Sequence, residues 1–200
     1  MTYGKTRHEP VLAKEIIEMT GIRGDGIYCD ATAGGGGFSQ QIIDRLDSGR
    51  LIAFDRDRNA VEALRAMWHG DPRVEVVHAN FEHLRAEWER GGWPAPDAIV
   101  YDLGLSSIQL EDPSRGLSFQ LDSPLDMRLD PDENTPTAAE IVNSADETEL
   151  ADMFFLHGEI GARRVARRIV RERESSPIET TLRLAQIVTA ALGPKKKARG

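Results

Sequence analysis

Residues 34–37 are four consecutive glycines, set between the apolar run Ile27-Tyr28-Cys29 and a segment in which Ile42, Ile43 and Leu46 fall on one helical face. Residues without a Cβ permit a turn that other side chains resist, and they let peptide N–H groups approach a ligand closely. A strand, a glycine turn and a helix in that order open a βαβ unit. The chain is thereby restricted to α/β architectures from its first strand onward.

The residues up to Leu110 keep the alternation. Leu51-Ile52-Ala53-Phe54 reads as a second strand, and Ala60, Val61, Leu64 and Met67 mark the helix after it. Val74-Glu75-Val76-Val77 is a third strand, and Ala98-Ile99-Val100-Tyr101 a fourth, introduced by the turn residues Gly91-Gly92-Trp93-Pro94. Upstream, Val11, Leu12, Ile16 and Met19 recur at helical spacing after Pro10. Continuous apolar strands separated by amphipathic helices predict a parallel sheet with helices on both faces.

After Leu110 the pattern changes. Residues 111–137 are rich in Asp, Pro and Ser and carry no sustained period, so they read as an extended loop, of a length that is usually functional. From Ala138 the periodicity is helical. Leu150, Met153 and Phe154 share one face. Ala162, Val165, Ala166 and Ile169 form an apolar stripe from which Arg163, Arg164, Arg167, Arg168 and Arg171 turn away. Leu184, Val188 and Ala191 line a last helix, ended by Gly193-Pro194. The expected plan is a Rossmann-like core over residues 1–110, then an extended loop and helical module over 111–200, basic toward its end.

Composition narrows the function classes. No apolar run approaches the length of a membrane span, and the N-terminus lacks a signal-peptide core. Cys29 is the single cysteine, so no internal disulfide can form, and a cytoplasmic protein without a membrane partner is expected. The five histidines are scattered, and no metal site is expected. The net charge of −8 divides unevenly, with −15 over residues 1–158 and +7 over 159–200. A basic surface for nucleic-acid phosphates and a solvated helix face with a loose basic tail both fit that asymmetry.

Asp55 ends the second strand, 18 residues after the last glycine, where a carboxylate can accept both hydroxyls of a ribose. Asp57, past the strand end, suits a turn or a helix cap. The glycines lack the G-x-G-x-x-G spacing of a dinucleotide loop, although the loop alone leaves nicotinamide cofactors open. Asp30 before the loop and the segment Asp102-Leu-Gly-Leu-Ser-Ser after the fourth strand favour S-adenosylmethionine instead. Asp30 either holds a cofactor ammonium or caps the loop. Phe81 either stacks on an adenine or fills the core. Asp102 either meets the methionine end of the cofactor or a substrate amine, or serves as a turn residue.

The segments HEPVL (8–12), GIYCDATAGGGGFS (26–39), IAFDRD (52–57) and DLGLSSIQLEDPSRGLSFQLDSPLDMRLD (102–130) resemble the bacterial 16S rRNA cytosine-N4 methyltransferase family, ribosomal small subunit methyltransferase H or MraW. The resemblance runs over essentially the whole chain. It implies a Rossmann-like methyltransferase core with a helical insertion, and S-adenosylmethionine as cofactor. It further implies methyl transfer to N4 of a cytidine in 16S rRNA of the small ribosomal subunit. Matching positions imply cofactor contacts from Gly36, Gly37, Phe38, Asp55, Phe81, Asp102 and Gln109, with Asp102 also the candidate catalytic residue. Arg115, Asp126 and Arg128 would shape the base pocket or meet phosphates, and a homodimer stays open.

Two positions depart from the family pattern. Phe38 stands where the family usually has His, and Ile108 where it has Pro, so the Phe38 contact is expected through the backbone. Family members continue beyond the basic residues 195–199, so the chain reads like the N-terminal part, with an incomplete sheet. The alternative function is a truncated, non-catalytic fragment that binds RNA or a partner through its basic half. A third reading keeps the cofactor and changes the acceptor to DNA or protein.

Overall fold

The computed structural model describes residues 12–193, which form two compact units dividing between Ser107 and Ile108. Residues 195–199, the basic end of the chain, lie outside the described residues.

The first unit runs α1 (Ala13–Thr20), β1 (Ile27–Asp30), α2 (Gly37–Ile43), β2 (Arg50–Asp55), α3 (Arg58–Met67), β3 (Val74–His78), a 3-10 turn (Phe81–His83), α4 (Leu84–Gly91) and β4 (Ala98–Val100). The strands make one parallel sheet in the order β3-β2-β1-β4, with Cys29 opposite both Ile52 and Ile99. Side chains alternate across a strand, and the burial follows that rule. Tyr28, Leu51 and Ala53 pack on one face with Ile17, Phe38, Ile42 and Leu64 from α1, α2 and α3. Cys29, Ile52 and Phe54 pack on the other with Leu84, Trp88 and Trp93. Both faces are therefore covered, as the continuous apolar strands predict.

Helix α4 is not legible in the sequence pattern, because half of LRAEWERG is charged and only Leu84 is fully buried. What holds it is aromatic. The Trp88 ring stacks near Phe54 at 6.4 Å, and Trp93 meets Phe54 edge-on at 6.1 Å. Trp88 Nε1 donates to the Trp93 and Pro94 carbonyls at 3.1 and 2.9 Å, which fixes the turn into β4.

The second unit contains α6 (Ala138–Ser144), α7 (Glu147–Leu156), α8 (Ala162–Arg173) and α9 (Thr181–Leu192), with the short α5 (Ser107–Glu111) at the boundary. Helices α6 and α7 each open on a capping box, Thr137 with Glu140 and Asp146 with Glu149, which ties their first turns down. All four apolar residues foreseen on α8 are buried, and Leu150, Ile178 and Ile187 complete their core. On α9 the deepest residue is Ile187, whereas Leu184, Val188 and Ala191 are only half-buried against it.

Residues 112–137 are not a free loop. Leu125 is 2% exposed inside the helical core. Its N–H donates to the Glu179 carbonyl at 2.9 Å, and Thr181 N–H donates to the Ser123 carbonyl at 2.9 Å. Gly116 has φ +63°, and a Cβ there would collide with the Pro124 carbonyl, so the turn requires glycine. The segment forms one wall of the second unit without regular structure, which is why it carries no period. Among the described residues no helix is long and apolar enough to cross a membrane.

Candidate functional site

In the first unit β1, β2 and β3 follow one another in one direction, and β4 then returns to the other side of β1. Ligands of open α/β sheets collect at such a reversal, outside the carboxyl ends of the strands. The sequence-predicted residues of this unit stand at those ends: Asp30 closes β1, Asp55 closes β2, and Asp102 follows β4. Phe81 opens the 3-10 turn after β3.

The glycine loop leaves β1 pinned to both neighbours. Ala31 N–H donates to Val100 O and Ala33 N–H to Phe54 O, each at 2.9 Å. Gly34 and Gly36 then take φ +50° and +82°, left-handed values that glycine adopts without strain. At Gly36 the absent side chain also matters, since a Cβ would lie 3.0 Å from Leu64 Cδ2 and 3.1 Å from Trp68 Cη2. Gly36 is the N-cap of α2, and Gly37 and Phe38 are its first two residues. The Gly36 N–H donates to the Ala33 carbonyl at 2.7 Å and closes the turn, whereas the N–H groups of Gly37 and Phe38 have no acceptor within the helix, as at any helix start. The Phe38 ring is 3% exposed in the core, so Phe38 has only its backbone to offer a ligand. A core ring at this position explains how the loop tolerates it.

Asp30 is 1% exposed. Its Oδ2 accepts from Ser39 Oγ at 2.7 Å and its Oδ1 from Thr32 N–H at 3.2 Å. Both bonds are local, so Asp30 clasps the loop to α2, and of its two sequence readings the capping one holds. Burial pushes its carboxyl up to about 6, against the pull of the Ser39 and Thr32 bonds.

Asp55 is half-buried and accepts Gly34 N–H on Oδ2 at 2.6 Å and Asp57 N–H on Oδ1 at 2.7 Å. Burial raises its pKa, and the two N–H bonds oppose the rise. Each oxygen of a carboxylate has two lone pairs, so each retains acceptor capacity beyond these bonds. Asp57 caps α3 through the Asn59 N–H at 3.0 Å, the role its position after the strand foretells.

Phe81 is 42% exposed, which removes the core reading. Its ring meets Tyr101 edge-to-face at 5.8 Å and 87°, and Tyr101 is itself 45% exposed. From the sequence Tyr101 reads only as the end of the fourth strand, and nothing local reveals this pair, which joins the ends of β3 and β4. Asp102 is exposed, and its N–H donates to Thr32 Oγ1 at 2.7 Å. Thr32, which sequence reasoning also misses, thus ties the loop after β1 to the loop after β4 across the reversal point. A hydroxyl two residues after the strand-ending acid is the available signal.

Gln109 stands half-buried on α5, in the second unit. Arg115 is 5% exposed and donates from Nη1 to the Leu129 carbonyl at 2.8 Å, so its guanidinium braces the 112–137 segment. Arg128 donates to both Asp126 oxygens at 2.8 Å. Neither arginine presents an uncommitted guanidinium to a base or a phosphate, contrary to the sequence expectation. The groove of about 330 Å³ along the outer edge of β3, lined by Arg65, Glu75, His78 and Trp93, does not include the glycine loop.

Taken together, the strand ends offer turn backbone, helix N–H groups, an acceptor carboxylate and an exposed aromatic pair. That set suits a nucleoside with an anionic extension.

Known proteins agree in sequence over nearly the same span. The model of the MraW methylase family matches residues 5–200. A protein of Lactobacillus delbrueckii subsp. bulgaricus named ribosomal RNA small subunit methyltransferase H is 38% identical, covering 97% of this chain and 64% of its own length. Proteins of the same name from Carboxydothermus hydrogenoformans and Chromobacterium violaceum are 43% and 44% identical, covering 95% and 90% of this chain and 61% and 57% of theirs. The chain thus spans about three fifths of the length of these relatives. A solved 23S rRNA methyltransferase, ErmE, aligns at 16% identity with a TM-score of 0.33, too little for any inference. The family match, nearly end to end, and relatives near 40% identity fix the assignment: this chain belongs to the MraW methylase family.

Proposed function

We propose that this chain carries the cofactor-binding part of an S-adenosylmethionine-dependent methyltransferase that acts on N4 of a cytidine in 16S rRNA. The observation that carries the reading is Asp55, a carboxylate at the end of β2 held by the N–H of Gly34 from the glycine loop itself. Family membership and the names of the relatives support the reaction class and the RNA substrate.

Asp55 accepts the ribose hydroxyls on its remaining lone pairs, and the exposed face of Phe81 takes the adenine. Backbone N–H groups of Gly37 and Phe38 face the carboxylate of the methionine end, and Gly36, whose own N–H is held by the Ala33 carbonyl, lets the cofactor approach the turn without a Cβ in the way. Asp102 contributes a further polar contact. The bound cofactor supplies a methyl group on a cationic sulfur, open to displacement. The chain's own contribution is placement, since holding nucleophile, methyl and sulfur in line supplies much of the rate. The N4 lone pair of cytosine is delocalised into the ring. Asp102, exposed beside the reversal point and fixed through its N–H by Thr32, accepts a hydrogen bond from that amine and then its proton.

Calorimetric titration with S-adenosylmethionine, alongside Asp55→Ala, tests the cofactor reading. Loss of two charge-assisted hydrogen bonds should weaken binding by about 100-fold or more. An Asp55→Ala chain that is folded and binds as tightly as the parent would refute it. Label transfer from tritiated cofactor to small ribosomal subunits, plasmid DNA and protein, run in parallel, tests the acceptor. Label in DNA or protein alone would sink the rRNA assignment.

A further inference from the structure

We propose that α8 presents a face that grips RNA phosphates, formed by Arg163, Arg164 and Arg171. It rests on the proposed function only in taking RNA as the substrate. The helix reads ARRVARRIVRER, six arginines against one acid. Three of the six are engaged. Arg173 donates from Nη1 to the Val142 and Ala145 carbonyls at 2.8 and 2.7 Å and so closes the end of α6. Arg168 lies 2.8 Å from Glu172, the helix's one acid, which also takes Arg183 at 2.6 Å. Arg167 lies 3.3 Å from Glu147.

Arg163, Arg164 and Arg171 are exposed, and their guanidinium groups make no hydrogen bond or ion pair among the described residues. Nothing on the helix neutralises them, since Glu172 is already shared by two other arginines. Arg163, Arg167 and Arg171 recur at four-residue steps, a row rising about 6 Å per step along one side of the helix. Like charges in such a row repel, so the fold gains nothing from them unless an anion lies across them. The guanidinium fork suits phosphate oxygens, which it can bind bidentately. Residues 1–158 carry a net charge of −15, so the basic face is not a property of the whole surface.

The occupant is RNA rather than a lipid surface for a structural reason. A membrane-surface helix needs an apolar side to insert beneath the headgroups. The apolar side of α8 (Ala162, Val165, Ala166 and Ile169) is 3% exposed or less and is spent on the core of its own unit.

The test is binding of the full 200-residue chain to a 16S rRNA transcript over a series of salt concentrations. The comparison is Arg163→Gln/Arg164→Gln/Arg171→Gln against a triple of equal charge change in the first unit, Arg45→Gln/Arg85→Gln/Arg90→Gln. Each phosphate that is no longer neutralised should lower the slope of log affinity against log salt by about 0.7 to 0.9, so the α8 triple should lower it by about 2 to 3. Affinity near 0.1 M salt should fall at least about tenfold, with the first-unit triple close to the parent. Circular dichroism verifies that both triples are folded. An unchanged slope in the α8 triple, or an equal fall in both triples, would overturn the proposal. So would poly-glutamate binding that is as tight as RNA binding and disappears in the α8 triple, which would assign the face to an acidic protein. S-adenosylmethionine titration of the same proteins keeps the two readings apart. Its failure in the parent counts against the cofactor site, and the salt slope alone decides α8.

Discussion

Asp30→Asn should flatten the dependence of stability on pH between about 4 and 6. Asp30 is 1% exposed, and burial raises its carboxyl from an ordinary 3.8 to about 6. A raised acid pKa means that the folded state holds its proton more tightly than the unfolded chain does. The associated stability is fully present below the unfolded value and is lost as pH rises through the folded one. A shift of roughly two units at 1.36 kcal/mol each makes that loss about 3 kcal/mol by pH 7. Asparagine keeps the shape and an acceptor for Thr32 N–H, and the Ser39 hydroxyl can turn to accept from the amide, so the clasp survives without titrating. Urea unfolding of both proteins at half-unit steps from pH 4 to 7.5 gives the difference directly. The parent should lose stability relative to the variant by up to about 1.4 kcal/mol per pH unit across that window, then run parallel above it. Curves parallel throughout would mean that burial does not move the Asp30 carboxyl from its value in the unfolded chain. A difference of opposite sign would mean that its two hydrogen bonds outweigh desolvation.

Two other substitutions probe the units separately. Gly36→Ala forces a side chain into φ +82° and against Leu64 and Trp68, and should cost about 2 to 3 kcal/mol in thermal or urea unfolding; a change below about 0.5 kcal/mol would show that the loop has slack. Ile169→Ala empties a fully buried site in the second unit and should cost about 2 to 5 kcal/mol there. Trp68, Trp88 and Trp93 all lie in the first unit, so helical signal should be lost before tryptophan fluorescence changes. Coincident loss of both signals would mean that the two units unfold as one.

The amino-acid sequence by itself determined the parallel sheet, because strands buried on both faces must be continuously apolar, as Leu51 to Phe54 are. It also determined the α8 stripe, where the period of 3.6 marks the buried side without knowledge of any partner. Asp55 was legible for a similar reason, since a strand end and a glycine loop a fixed distance apart leave little freedom in where the carboxylate falls. What escaped was whatever depends on residues distant in the chain. Helix α4 is charged at half of its positions and holds its place through the rings of Trp88 and Trp93 against Phe54. Residues 112–137 lack a period because Leu125 and Ser123 are positioned by pairing with residues 179–181, over fifty positions away. Only the tertiary structure settled Asp30 as the cap of its loop, by burying it with Ser39, and removed the core reading of Phe81, by exposing it beside Tyr101. Local pattern specifies which side of an element is apolar; what a polar or aromatic side chain does is decided by neighbours that only the folded chain brings together.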